Sequence, residues 1–162
     1  MVAEKLEWID SAGGPLVAMP KAVRAEWMGV ESDDYADACA VTGLLGVVSR
    51  RWGDVLVLGD EPASTAVLQR KNQPTLVRWI FAPDEARLRE AALSDALDER
   101  SPDETVTLRG SGGLMVLFDS GADGATASAL EFTLPTGDLT VRACFIKDEP
   151  REVCFVVVGF DS

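Results

Sequence analysis

Four carboxylates, Glu31, Asp33, Asp34 and Asp37, crowd into seven consecutive positions, and neither Lys nor Arg occurs between residues 31 and 49. Acids packed this closely hold a metal, act as an acid–base pair, or present negative charge to a cationic partner. The spacing lacks the alternating ligands and the glycine of a calcium loop. Carboxylate pairs for glycoside hydrolysis meet in space rather than in sequence, and no residue here singles out such a pair. An anionic binding surface is what remains, set against the plainer alternative of a solvated face. Asp60 and Glu61 follow an apolar run and offer a second anchor of the same kind, or simply a solvated turn. Trp52, in a turn between Arg51 and Gly53, is the aromatic with the most exposed context, and Trp is enriched at the energetic centres of interfaces. Glu31, Asp33, Asp34, Asp37, Trp52, Asp60 and Glu61 are therefore the candidate partner-binding residues; no catalytic, cofactor-binding or metal-binding residue is assigned.

Composition narrows the chemistry further. The chain has no histidine, which removes the commonest general base, His-based triads and nearly every catalytic zinc site. Gly110, Ser111, Gly112 and Gly113 precede a strand, whereas phosphate cradles precede a helix. The odd set of Cys39, Cys144 and Cys154 argues against a disulfide framework and reads as small buried thiols, with Cys144 and Cys154 on adjacent strands. A net charge of −12 on 162 residues repels nucleic-acid phosphates and favours encounter with a basic protein. No apolar run approaches the ~20 residues that cross a bilayer. The first residues lack the basic-then-apolar order of a signal peptide, so the expected compartment is the cytoplasm.

The elements that must position these residues are mostly strands. Short apolar runs bounded by turn residues mark 6–10, 16–19, 44–49, 55–58, 65–68, 76–81, 105–108, 114–118, 129–134, 139–147 and 153–160. Pro20 opens a short helix over 21–27, with Met19, Val23 and Trp27 on one face; Trp27 and Trp79 read as core. Residues 31–34 cap a second helix over 35–41, whose inward side chains are Tyr35, Ala38 and Cys39. The longest helix spans about 83–97, with Leu88, Ala92, Leu93, Ala96 and Leu97 forming its apolar stripe. Residues 121–127 form a mobile loop of small residues, and 135–138 and 148–151 are hairpin turns.

The fold class expected is α+β: a largely antiparallel β-sheet with two short N-terminal helices and one longer helix at about 83–97. At 162 residues it forms one domain, with halves at 1–100 and 101–162. Residues 55–58, 65–68 and 77–85 are echoed in order by 115–118, 131–134 and 141–149. An internal repeat explains this, and so do two unrelated meanders with common patterning.

The ordered set Gly13–Gly14–Pro15, Trp27–Met28–Gly29, Asp34–Tyr35–Ala36–Asp37–Ala38–Cys39, Leu58–Gly59–Asp60–Glu61–Pro62 and Val77–Arg78–Trp79–Ile80 resembles the immunity protein 21 family of bacterial polymorphic-toxin systems. It covers roughly residues 6–90, and the second half matches loosely through residues 132–137 and the strand after them. The resemblance implies a cytoplasmic antidote that neutralises a cognate protein toxin by stoichiometric binding, without cofactor or turnover. The acidity points towards a basic toxin, for instance a nuclease. The alternative class is a small-ligand-binding or regulatory α+β domain, which calls for a deep apolar pocket between the halves.

Overall fold

The computed structural model describes residues 5–59 and 62–162. The apolar runs become strands β1 (Trp8–Ile9), β2 (Leu16–Pro20), β3 (Leu45–Arg50), β4 (Gly53–Leu58), β5 (Thr65–Arg70), β6 (Gln73–Phe81), β7 (Glu104–Asp119), β8 (Leu130–Asp148) and β9 (Val153–Asp161). Among the described residues they form one antiparallel sheet in the order β1-β5-β6-β9-β8-β7-β2-β4-β3. The order is balanced about the β7–β8 ladder. On one side β2 is followed by the β3–β4 hairpin, and on the other β9 is followed by the β5–β6 hairpin.

This overturns the α+β expectation: the chain is mostly β. The expected first helix is a 3-10 turn (Lys21–Glu26) that buries none of its own residues; only Trp27, beyond its end, enters the core. The second is α1 (Asp33–Cys39), and it turns Asp34 and Ala38 inward while Cys39 is exposed and Tyr35 half-buried. The helix expected at 83–97 is two pieces, α2 (Glu85–Ala92) and a 3-10 turn (Asp95–Glu99), which leaves Leu93 and Ala96 exposed. A distant side chain causes the break. Arg70 on β5 donates from Nε to the Ala92 carbonyl (3.2 Å) and from Nη2 to that of Ser94 (2.8 Å), satisfying carbonyls at the helix end that a continuing helix would use.

The second half also differs from expectation. Four expected strands are two long ones, and residues 135–138 are a bend inside β8 rather than a hairpin turn. The β7–β8 register shifts between Leu108 and Ser111 and again between Ser111 and Gly113, so bulges bend both strands at one level. Gly112 is required there, because a Cβ on it would lie 2.0 Å from the Pro135 carbonyl oxygen. The sequence echo does not carry into topology, since β5 and β6 are a hairpin while the segments aligned with them run on in β8.

Bending folds the sheet onto itself. Leu56, Leu58, Met115, Leu117 and Phe132, on β4, the end of β7 and the start of β8, share one core with Leu76, Val141, Val156, Val158 and Phe160 on β6, the later part of β8 and β9. The alternate residues on either side of the bend face outward and are covered separately. Val17, Met19, Val57 and Phe118 pack with Trp27 and Ala38, beside α1; Val77, Ile146 and Phe155 pack under Leu88, Ala91 and Ala92 of α2. Trp79 is half-buried, edge-on to Trp8 at 5.2 Å, and the Trp8 indole donates to Glu85 in the first turn of α2 (2.6 Å). Cys144 and Cys154 stand three rungs apart along the β8–β9 ladder, Cys144 opposite Val157 and Cys154 opposite Lys147, and all three thiols are free.

Candidate partner-binding surface

The surface with the most anchors surrounds the start of α1. Ser32 caps this helix, its hydroxyl accepting from the Asp34 N–H at 3.1 Å. Asp34 itself points inward. Its carboxylate accepts from the Met28 N–H (2.9 Å) and, on the other oxygen, from Nε (3.0 Å) and Nη2 (2.8 Å) of Arg50 at the end of β3. The same Nη2 reaches Asp37 at 2.6 Å. Burial pushes the Asp34 carboxyl up, but the Met28 N–H and the Arg50 guanidinium outweigh it, and its pKa is held below the usual carboxylate range.

The residues before α1 are held as firmly. Gly29 adopts φ +55°, and a Cβ there would lie 2.5 Å from the carbonyl oxygens of both Gly121 and Ala122. Val30 N–H donates to the Gly121 carbonyl (3.3 Å), and Gly124 N–H donates to that of Trp27 (2.8 Å). Arg24 reaches over with Nε to Gly124 O and Nη2 to Ala127 O, both at 2.5 Å. The loop expected to be mobile is thus laced to residues 24–30. Its small residues serve close approach: a Cβ on Gly124 would lie 2.0 Å from the Arg24 carbonyl oxygen.

Against this fixed backing Met28 and Val30 project into solvent, 52% and 63% exposed. They put two apolar side chains, close together in the chain, on fixed backbone where a partner can cover them. Beside Val30 lies an open depression of about 260 Å³ lined by Ala12, Gly14, Val30, Tyr35, Asp119 and Ala122. Glu31 and Asp33, which flank Val30 and Asp34 in the chain, are exposed, and Asp119 anchors one wall of the depression by accepting from the N–H groups of Ala12 (2.9 Å) and Gly121 (3.0 Å). Exposed apolar side chains with exposed carboxylates close by in the chain share the make-up of a protein interface, an apolar centre with a polar rim.

Of the candidate residues, Glu31, Asp33, Asp34 and Asp37 come together here, yet their roles differ. Glu31 and Asp33 are free to meet a partner, Asp37 shares Arg50, and Asp34 is a buried structural acid. Trp52 is half-buried and packs on the core beneath α1, which corrects its reading as the exposed aromatic. Asp60 and Glu61 lie outside the described residues. Sequence reasoning missed Met28 and Val30. Among the described residues no His/Cys/Asp/Glu group is arranged to hold a metal. The space between the halves, where a ligand-binding domain would need its pocket, holds Leu58, Leu117, Phe132 and Phe160 in one packed cluster.

A family model described as Immunity protein 21 matches residues 7–152, extending through the half that the motifs cover loosely. No curated protein and no solved structure matches the chain.

Proposed function

The chain belongs to the immunity protein 21 family, and on that premise we propose that it neutralises a cognate protein toxin in the cytoplasm by stoichiometric binding through the surface around Met28 and Val30. The observation that carries this reading is the pairing of exposed apolar side chains with a rim of free carboxylates on backbone that cannot relax away. Preformed surfaces bind with little ordering cost. Met28 and Val30 would fill the desolvated centre, and Glu31 and Asp33 would meet cations on the toxin. A toxin active site built for phosphate carries such cations, so a nuclease is the target class that the acidity favours; close charge pairs across interfaces couple by ~1.5–7 kcal/mol in the barnase–barstar system.

The test is to mix the purified chain with the toxin encoded beside it and measure binding by calorimetry, with protection of toxin-expressing cells in parallel. A one-to-one complex and protection are expected. Val30→Lys combined with Glu31→Lys, both exposed and therefore tolerable to the fold, should weaken the complex about a hundredfold or more, within the range of interface hot spots. Absence of any complex would refute the function, whereas a complex indifferent to the double variant would refute the surface alone.

A further inference from the structure

Acids outnumber cations 27 to 15 in this chain, yet among the described residues Arg24 pairs with no carboxylate. Its half-buried guanidinium lies over the buried Phe118 ring, 5.8 Å from the centroid, and donates to two main-chain carbonyls, from Nε to Gly124 and from Nη2 to Ala127. A planar fork used in this way fixes backbone rather than balancing charge. The loop it grips, residues 121–127, makes two bonds to the segment that bears Met28 and Val30. Val30 N–H donates to the Gly121 carbonyl, and Gly124 N–H donates to the Trp27 carbonyl. The Gly121 end is secured without Arg24, because the Trp27 indole donates to the Ser120 carbonyl (2.9 Å) and Asp119 accepts from the Gly121 N–H (3.0 Å). The Gly124 end is not. The N–H groups of Ala125, Thr126 and Ala127 all turn back to Asp123 within the loop.

The Trp27 carbonyl and the Met28 N–H belong to one peptide plane. Gly124 holds its carbonyl (2.8 Å) and Asp34 holds its N–H (2.9 Å), so the direction in which Met28 leaves the backbone is set from both ends. We propose that Arg24 is a positioning residue for the proposed binding surface: acting through Gly124, it keeps this peptide fixed and Met28 in its exposed pose before a partner arrives. The inference rests on the functional reading above and names what keeps that surface preformed. Loss of the grip adds an ordering cost to binding. The sign of the effect separates position from charge. Removing a cation makes the surface more negative, which favours a basic partner, so a weaker complex reports lost position.

Two variants reach the loop by different routes. Arg24→Met keeps an apolar stem beside Phe118 and removes both donors. Gly124→Ala leaves the charge alone and displaces the same loop, since a Cβ there would lie 2.0 Å from the Arg24 carbonyl oxygen. Hydrogen exchange on the free chain and calorimetry with the toxin encoded beside it are the measurements. In both variants exchange at the Gly124 and Ala127 amides should rise about tenfold or more, with β2 and β4 still protected. The toxin complex should weaken about three- to tenfold through a less favourable entropy. Arg24→Lys keeps the charge without the fork and should fall between wild type and Arg24→Met. Unchanged exchange in Arg24→Met would overturn the grip whether or not a toxin binds, and so would loss of protection across the whole sheet. Raised exchange with equal or tighter toxin binding would overturn its part in recognition. A wild-type chain that forms no toxin complex sinks the functional reading and the recognition half of this proposal together, while exchange still decides the grip.

Discussion

Asp34 accepts hydrogen bonds from the Met28 N–H and from two nitrogens of Arg50, so the bend before α1, the helix and the end of β3 converge on one carboxylate. Those donors hold its pKa below the ordinary value near 3.8, against the effect of burial. A carboxyl depressed in the folded state binds a proton more readily when unfolded. Its contribution is therefore complete above about pH 4 and fades as the pH falls through the lower folded value. Asp34→Asn should cost about 1–3 kcal/mol at pH 7, and the gap to wild type should narrow in more acidic buffer, as read by urea unfolding at pH 7 and pH 3. An equal gap at both values would mean that shape, not charge, sets the cost. At this scale the sequence was a partial guide. It marked the acidic cluster, but the inward turn of Asp34 depends on Arg50, 16 residues away on another element. Met28 and Val30 were illegible for a related reason: their exposure is imposed by Gly121 and Gly124, whose carbonyl and N–H fix the backbone on either side of Gly29.

Elements were legible where the signal was local and misread where it was not. The strand runs of the first half appear close to their expected places, because alternation and turn residues lie within each run. The Gly-rich stretch 110–113 and Pro135–Gly137 carry the same turn chemistry, yet Ser111 pairs with Gly137 and the two form matching bulges in continuous strands. Only the pairing distinguishes a bulge from a turn, and pairing is not local. The stop of α2 has the same character. Its stripe continues to Leu97, but Arg70 takes the Ala92 and Ser94 carbonyls and also pairs with Asp98 at 2.6 Å. Arg70→Ala should then cost about 1–2 kcal/mol through the freed carbonyls and the lost pair. It should also raise amide exchange at residues 92–98 while leaving β2 and β4 protected. Uniform loss of protection across the sheet would show that Arg70 supports the whole fold and not this junction.

At the scale of the whole molecule, fifteen cations face twenty-seven acids, so ion pairing leaves a net charge of −12 however the side chains arrange themselves. The cations beside the proposed binding surface are already engaged, Arg50 by Asp34 and Asp37 and Arg24 by the carbonyls of Gly124 and Ala127. Two consequences of opposite sign follow from this single quantity. The folded chain repels itself, and since added salt screens charges beyond the Debye length, ~10 Å at 0.1 M, raising sodium chloride from about 10 to 150 mM should stabilise it. A gain of about 1 kcal/mol corresponds to ~2–4 °C in Tm for a chain of this size. On the proposed function, encounter with a basic toxin responds the other way: the same screening should slow association about tenfold or more, while dissociation, which the proposal assigns to the apolar centre at Met28 and Val30, changes little. Scanning calorimetry and stopped-flow mixing across one salt series read both. A Tm that falls with salt would show that the local pairs outweigh the net repulsion, and an association rate indifferent to salt would mean that the toxin does not meet the acidic rim at all.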